Sequence, residues 1–182
     1  MESEIKNFED WQKEMRHFSL PRWEDLPEFD LYMDQMVNFI EKYLSVFKKD
    51  SAEKLITPSM INNYVKLDLM PKPVKKRYTK KHVAFLIAIT ILKQVLTISE
   101  IKVGLVYQAN LIGTKESYDL FCEEQEKAIR SIFSTKENNE TDIKLDLSVK
   151  PETLLVKHAT IAAAAKLYSE IFIAKIKAEK EQ

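Results

Sequence analysis

The stretch that decides the fold is NNYVKLDLMPKPVKKRYTKKHV, residues 62–83. It opens on two adjacent asparagines, passes through a Pro-x-Pro turn, and then carries six cations within the ten residues 72–81. Between Lys54 and Lys81 there are eight basic residues and one acidic residue, a local charge of +7. Because the 182-residue chain holds 28 basic and 28 acidic residues, the remainder carries −7. This separation of charge favours a polyanionic partner, with a solvated basic turn as the alternative.

A short helix is predicted directly before the basic segment. Thr57 is a favourable N-cap, and Pro58 fits the first helical position, where its missing N–H costs nothing. We expect the helix to run to about Asp68, because Pro71 and Pro73 follow. Helical spacing divides its side chains between an inward face (Met60, Ile61, Tyr64, Val65, Leu69) and an outward face (Ser59, Asn62, Asn63, Lys66). A short helix with outward asparagines and a cationic loop behind it is typical of a recognition helix followed by a wing.

The rest of the chain is also predicted to be mainly helical. Only two glycines occur, and the six prolines lie at the edges of helical patterns, so few residues would break a helix. We expect an extended strap at 19–28, a polar segment at 135–150, and helices at 5–18, 29–48, 79–95, 97–112, 115–134 and 151–177. The helix that Thr79 caps is apolar nearly all round, so we expect it to be central. The residues from Thr97 to Glu100 form a capping box for the next helix, which ends at Gly113.

Several classes of function do not fit this sequence. The single cysteine, Cys122, leaves no intramolecular disulfide and no cysteine-based zinc site. Two glycines cannot build a phosphate-cradling loop, and the three histidines are scattered, so we expect no enzyme, no metal site and no cofactor. The first twenty residues are too charged for a signal peptide. The longest apolar run, 83–92, is about half of the roughly 20 residues that a membrane span requires, so we expect a cytoplasmic protein without a membrane partner.

One part of the chain resembles a known family of regulators. Residues 57–106, TPSMINNYVKLDLMPKP…KKRYTKKHVAFLIAITILKQVLTISEIKVGLV, are similar to the DNA-binding head of MerR-type proteins. Those heads have a recognition helix that ends in a leucine pair and prolines, then a basic wing, a hydrophobic helix and a Ser-x-x-Glu-Ile turn. Asp68 stands where that family commonly has glycine. The whole chain also resembles an uncharacterised bacterial family, known only as a domain of unknown function, which supplies no activity.

The MerR resemblance implies a winged helix-turn-helix head joined to an all-helical C-terminal bundle, within a mainly α fold. We expect an N-terminal helix and strap at 1–28, the DNA-binding region at 29–112, and a C-terminal module for dimerisation or sensing at 113–182. Recognition helix 58–68 would enter the major groove of double-stranded DNA, and basic wing 71–81 would lie on its phosphates. Base contacts are expected from Ser59, Asn62 and Asn63, and phosphate contacts from Lys66, Lys72, Lys75, Lys76, Arg77, Tyr78 and Lys80.

These residues predict a DNA-binding transcriptional regulator, and they leave some choices open. The rival hypothesis is a helical interaction or adaptor module whose basic loop binds an acidic protein. The asparagines could instead brace their own backbone, and Tyr78 could pack against the helix rather than donate to a phosphate. Apolar residues on most faces of 83–112 and of the last helix favour a homodimer. A helical bundle can also hold a small-molecule effector, but the sequence names none.

Overall fold

The computed structural model describes residues 8–48, 53–133 and 144–180. Within those ranges the chain forms seven α-helices, two short 3-10 turns and two isolated β-bridges, so the mainly helical prediction is confirmed. The helices are α1 (Phe8–Arg16), α2 (Met33–Tyr43), α3 (Pro58–Lys66), α4 (Lys80–Leu92), α5 (Ile98–Ile112), α6 (Thr114–Ile132) and α7 (Leu154–Lys180). None of the described helices is long and apolar enough to cross a membrane.

Helix α4 lies at the centre of the fold, as its sequence predicts. Its residues from His82 to Ile91 are all buried except Phe85, because the helix has an apolar side chain on nearly every face. Helices α2, α6 and α7 pack around it, and α6 and α7 also pack against each other along much of their length. The buried side chains form one continuous hydrophobic cluster that extends from α1 to α7. The division into three parts, 1–28, 29–112 and 113–182, stays a prediction.

The strap that joins α1 to α2 is tied to α6 by polar contacts. The buried Glu126 carboxylate accepts the Leu20 N–H at 2.8 Å and pairs with the Arg22 guanidinium through two hydrogen bonds of 2.7 and 2.9 Å. Tyr118 donates its hydroxyl to the Pro21 carbonyl at 2.8 Å. Burial alone would raise the pKa of Glu126, but the hydrogen bonds from Arg22 and Leu20 lower it below its ordinary value.

Several helix ends differ from the sequence prediction. Helix α2 begins at Met33 rather than 29, because Leu31 pairs with Tyr78 as an isolated antiparallel bridge; Phe29 therefore stands outside the helix and is 69% exposed. Helix α4 ends at Leu92, with Lys93 as its C-cap, rather than at residue 95. Helix α7 begins at Leu154, after a turn at 151–153, and extends to Lys180.

Some of the predicted ranges fall partly outside the described residues. The first helix, predicted from residue 5, is described from Phe8 onward. Residues 144–150 of the predicted polar segment have no regular secondary structure, and its first part, up to 143, lies outside the described residues.

The carboxylate of Glu126 generates the first prediction. Glu126→Ala should lower the free energy of unfolding by about 2–3 kcal/mol, because it leaves the Leu20 N–H without its acceptor and the Arg22 guanidinium without its carboxylate partner. Glu123→Ala, which removes an exposed carboxylate of the same helix that pairs with Lys127, should change it by at most about 0.5 kcal/mol. Urea denaturation of the three proteins measures both values. Equal losses in the two variants would show that the strap is not held by this contact.

Candidate nucleic-acid interface

Helix α3 presents the outward face that its sequence predicts. Thr57 caps it by accepting the Met60 N–H on its hydroxyl at 3.2 Å, and Pro58 occupies the first position. Ile61 and Tyr64 are buried beneath the helix. The side chains of Ser59, Asn62, Asn63 and Lys66 are exposed and border a shallow open depression on the outer face. Met60, predicted to face inward, also borders that depression and lies at the surface, so that assignment was wrong.

The end of α3 has a defined backbone geometry. Asp68 has a positive φ of 52°, the Leu69 N–H donates to the Tyr64 carbonyl at 2.9 Å, and the Asp68 N–H donates to the Val65 carbonyl at 3.2 Å. This is the Schellman arrangement, in which the residue after the C-cap adopts a left-handed conformation that glycine fits best. The conformation explains why α3 ends at Lys66, before the prolines, rather than at 68. Asp68 therefore adopts a backbone conformation in which glycine is the most common residue.

Side chains from distant elements hold both ends of α3. Glu41 accepts the N–H groups of Leu55 and Ile56 at 2.9 and 3.2 Å, and Lys93 donates to the Leu55 carbonyl at 2.6 Å. At the other end, Lys102 donates to the Leu67 carbonyl at 2.9 Å. Sequence reasoning missed these supports. Lys93 lies 38 positions after Leu55 and Lys102 lies 35 positions after Leu67, and nothing in a single sequence links residues so far apart.

The basic segment turns back on itself in a tight hairpin. Val74 and Arg77 form an antiparallel bridge, and the Arg77 N–H donates to the Val74 carbonyl at 2.9 Å. The two residues between them, Lys75 and Lys76, have positive φ values of 50° and 61°. Positive φ at both central positions defines a type I′ turn, which normally takes Asn-Gly because other side chains are strained there. Two lysines at this tip are therefore placed in the solvent at a conformational cost.

The base of this hairpin is attached to α2 and α4. Leu31 and Tyr78 exchange two backbone hydrogen bonds of 2.8 Å each. His82 lies behind them: its Nδ1 accepts the Thr79 N–H at 2.9 Å, so its Nε2 carries the proton and donates to the Pro71 carbonyl at 3.2 Å. One neutral imidazole thereby fixes both the start of the hairpin and the first turn of α4. Sequence reasoning gave His82 no role.

Two of the predicted phosphate contacts need correction. Tyr78 is only 3% exposed and packs its ring against His82 in an edge-to-face contact at 5.5 Å, and burial raises the pKa of its phenol. The alternative of packing is therefore the correct one for Tyr78. The side chain of Lys80 is 17% exposed and lies 3.8 and 4.0 Å from the carboxylates of Glu24 and Glu28. Both residues belong to the support of the hairpin and not to its free surface.

The remaining predicted cations are exposed. These residues are Lys66, Lys72, Lys75, Lys76 and Arg77. Arg77 is oriented by Tyr32, since its guanidinium lies 4.7 Å from the centre of the Tyr32 ring and donates to the Tyr32 hydroxyl at 3.0 Å. We call the exposed residues of α3 (Ser59, Asn62, Asn63, Lys66) together with Lys72, Lys75, Lys76 and Arg77 the basic face. Its chemistry combines amide and hydroxyl groups with cations, which suits hydrogen bonding to polar edges beside anionic groups.

A comparison with protein families shows to which family the chain belongs. Residues 21–129 match a family described only as a domain of unknown function, DUF1836. The chain belongs to this family. The matched region runs from the strap into α6 and includes the whole basic face, whereas α7 lies beyond it. No curated protein and no solved structure matches the chain. Among the described residues of this DUF1836 protein, His, Cys, Asp and Glu side chains form no group of three that could hold a metal ion.

The environment of His82 gives a pH-dependent prediction. Burial lowers the pKa of this imidazole below its ordinary value, Lys81 lowers it further, and Asp30 and the Pro71 carbonyl act in the opposite sense. Below about pH 6.5 the unfolded chain therefore binds a proton more readily than the folded chain. The stabilisation is complete above about pH 6.5 and declines as the pH falls, because protonation removes the acceptor for the Thr79 N–H.

Urea unfolding at about pH 7.5 and about pH 5.5 measures this effect. His82→Gln keeps a capping acceptor that does not titrate in this range, so its stability should fall less between the two pH values than that of the wild type. His17→Gln, at an exposed histidine, serves as the matched control and should retain the wild-type decline. If His82→Gln lost as much stability between the two pH values as the wild type does, His82 would be excluded as the source of the decline.

Proposed function

We propose that this DUF1836 protein is a DNA-binding transcriptional regulator whose helix α3 enters the major groove while the hairpin at 74–77 lies on the phosphate backbone. The observation that carries the proposal is the pair of left-handed lysines, Lys75 and Lys76, at the tip of the hairpin. A turn selected only to connect two elements would favour Asn-Gly at these positions. Keeping two cations there instead makes sense if their charge has an anionic partner.

The cations support binding to a polyanion. Five exposed cations of the basic face lie in a segment whose only acidic residue is Asp68, while the rest of the chain is net negative. Each lysine or arginine that neutralises a phosphate releases condensed counterions, so five such contacts would supply most of a sequence-independent affinity. Arg77, held against the Tyr32 ring, loses less side-chain freedom on binding than a freely rotating cation would.

The polar side chains of α3 support base reading. Asn62 and Asn63 are exposed on the helix that lies beside the hairpin in sequence, and an asparagine amide pairs with N6 and N7 of adenine in the major groove. Ser59 lies one turn earlier and can donate to or accept from a base edge. The Schellman end and the contacts of Lys93 and Lys102 keep α3 rigid, which reduces the entropy lost on docking.

The proposal includes a homodimer. Helix α7 exposes Phe172, Ile173 and Ile176 near its C-terminal end, an apolar group that a second copy of the chain would cover. Two-fold symmetry would then present two α3 helices to half-sites about one helical turn apart, in the manner of other helix-turn-helix regulators. An acidic protein partner would also be attracted to the lysines, but it gives the exposed amides of α3 no comparable task.

A comparison of charge and amide variants tests the proposal. Lys76→Ala and Arg77→Ala should each weaken binding to every duplex and should each reduce the slope of log K against log salt by about one. Asn62→Ala and Asn63→Ala should instead cost about 1–3 kcal/mol on the preferred site and leave the salt slope nearly unchanged, because an amide releases no counterion. Fluorescence anisotropy with selected and random duplexes measures both quantities.

The controls separate this result from unfolding and from general charge effects. Lys127→Ala removes an exposed cation on α6, outside the basic face and the apolar group of α7, and should leave both affinity and salt slope unchanged. Circular dichroism checks that each variant keeps its helical content. Absence of any salt-dependent duplex binding by the wild type would overturn the regulator and favour the adaptor. Asparagine variants that discriminate as well as the wild type would overturn base reading alone.

For the hairpin tip we predict that one double variant raises stability and weakens DNA binding. Replacing Lys75 by Asn and Lys76 by Gly should raise the free energy of unfolding by about 1 kcal/mol, because the new residues suit the type I′ turn. The same double variant should weaken DNA binding and lower the salt slope by about two. Lys72→Ala removes a charge outside the turn and should weaken binding without the gain in stability. A double variant that is stabilised but binds DNA as tightly as the wild type would show that the tip does not touch phosphate.

A further inference from the structure

Helix α5 stands away from the central helix α4 and leaves a cleft between them. Although α5 is rich in apolar side chains, only Ile101 and Gln108 of its 15 residues are buried. It packs mainly against α6 and makes fewer contacts with α4 and α7. The space between α5 and these three helices is a cleft of about 580 Å³, which falls within the range of small-molecule pockets.

Polar contacts and a turn hold α5 in this position. Near its N-terminal end, Lys102 donates to the Leu67 carbonyl at 2.9 Å. Farther along, Nε2 of Gln108 donates to the Glu152 carbonyl, just before α7, at 2.7 Å. At its C-terminal end α5 continues into α6 through Gly113 alone, whose positive φ of 91° makes the turn. A collapse of α5 onto α4 would break these contacts, so the cleft is a stable part of the fold.

The lining of the cleft is mostly apolar. Phe121 of α6 belongs to its buried wall, and Val103 and Tyr107 of α5 lie at its mouth, where both are exposed. An apolar lining that solvent can reach favours a molecule with a largely hydrocarbon or aromatic body. Small residues on three helices keep the space open: Ala84 and Ala88 on α4, Gly104 and Ala109 on α5, and Ala159 on α7.

The charge of the lining disfavours an anionic ligand. Among the described residues that line the cleft, Glu100 is the only charged side chain. Hydrogen bonds from the Thr97 N–H and hydroxyl lower the pKa of this carboxyl below its ordinary value, so it is ionised at neutral pH. A carboxylate or phosphate on a ligand would meet this negative charge and would find no lysine or arginine in the lining to balance it.

The shape of the cleft favours a small molecule over a protein. Two copies related by two-fold symmetry would bring two concave openings together, and neither would fill the other. A helix is about 10 Å across, so two turns of it occupy about 850 Å³, more than the cleft holds. The apolar group Phe172, Ile173 and Ile176, which the proposed homodimer would cover, begins about 20 Å along α7 from Ala159, so the cleft stays open in that dimer.

We propose that this cleft binds a small molecule with a largely hydrocarbon or aromatic body and no negative charge. The volume sets the size of the ligand, the apolar lining sets its body, and the lone carboxylate of Glu100 sets its charge. The site is separate from the basic face and does not depend on DNA binding, so either proposal can fail without the other.

A fluorescent probe and two competitors test the chemistry of the site in the full-length chain. N-phenyl-1-naphthylamine is uncharged and fluoresces strongly in apolar surroundings, so its titration should give saturable fluorescence. 1-Decanol and decanoate have carbon chains of the same length and differ in charge. At about pH 7.5 the alcohol should displace the probe at least about tenfold more effectively than the carboxylate, because the cleft offers the carboxylate no cation.

A matched pair of substitutions on α5 tests the role of charge. Val103 lies at the mouth of the cleft and Val106 lies one turn later, outside the lining, and they are 70% and 55% exposed. Both should therefore accept lysine without loss of folding. Val103→Lys should reduce the preference for the alcohol to about threefold or less, because it supplies a cation at the mouth. Val106→Lys should leave the preference at about tenfold.

Substitutions on α7 locate the bound probe. Ala159 lines the cleft, whereas Ala162, three residues later, is exposed and does not. Ala159→Leu should weaken binding of the probe at least about tenfold by filling the space, and Ala162→Leu should leave it unchanged. Ile173→Ser, in the apolar group near the end of α7, should also leave it unchanged. Thermal unfolding followed by circular dichroism identifies any variant that fails to fold.

Several results would overturn the proposal. One is the absence of saturable probe binding by the wild type, and another is displacement by decanoate as effective as that by the alcohol. Equal weakening by Ala159→Leu and Ala162→Leu, or loss of binding in Ile173→Ser, would place the probe elsewhere. A wild-type dimer in sedimentation equilibrium that both Val103→Lys and Val106→Lys dissociate would assign the mouth of the cleft to a second copy of the chain.

Discussion

The rest of the structure depends on the burial of α4. A 13-residue helix with apolar side chains on nearly every face cannot lie at a surface, so other helices must enclose it. Helices α2, α6 and α7 do so, and their packing brings the strap and α1 against α6. The N-terminal turn of α4 carries His82, which holds the base of the hairpin through the Thr79 N–H and the Pro71 carbonyl. The basic face is therefore positioned by one enclosed helix.

The basic face combines a rigid support with a strained tip. His82, Tyr78 and Leu31 hold the base of the hairpin through side-chain and backbone hydrogen bonds. That support is what allows Lys75 and Lys76 to remain in a left-handed conformation, because a loosely held loop would relax to a less strained turn. Strain that persists where the surrounding structure is well fixed is more common at functional sites than elsewhere.

Local signals in the sequence predicted the local features of this fold. The cap at Thr57, the capping box that begins at Thr97, the helix end at Gly113 and the enclosed helix α4 are all confirmed, since each depends on residues within a few positions. The errors concern contacts across long stretches of chain. Tyr78 is buried through its pairing with Leu31, 47 residues earlier, and no local pattern encodes that pairing. The exposed lysines and asparagines could be predicted, but the support of the hairpin by His82 could not, because its bond to the Pro71 carbonyl depends on how α4 meets a segment 11 residues earlier.

The distribution of charge adds an argument about orientation. The segment from Lys54 to Lys81 carries +7 and the remainder carries −7, so a polyanion is attracted to one region and repelled by the rest. Glu24 and Glu28 mark the boundary, where they draw Lys80 away from the free surface. A chain with the same cations and a neutral body would bind DNA in many orientations and with less discrimination. If the basic face binds DNA as proposed, the neutral total is the sum of a binding region and a body that repels DNA, and that repulsion favours the approach of a duplex from the side of the basic face.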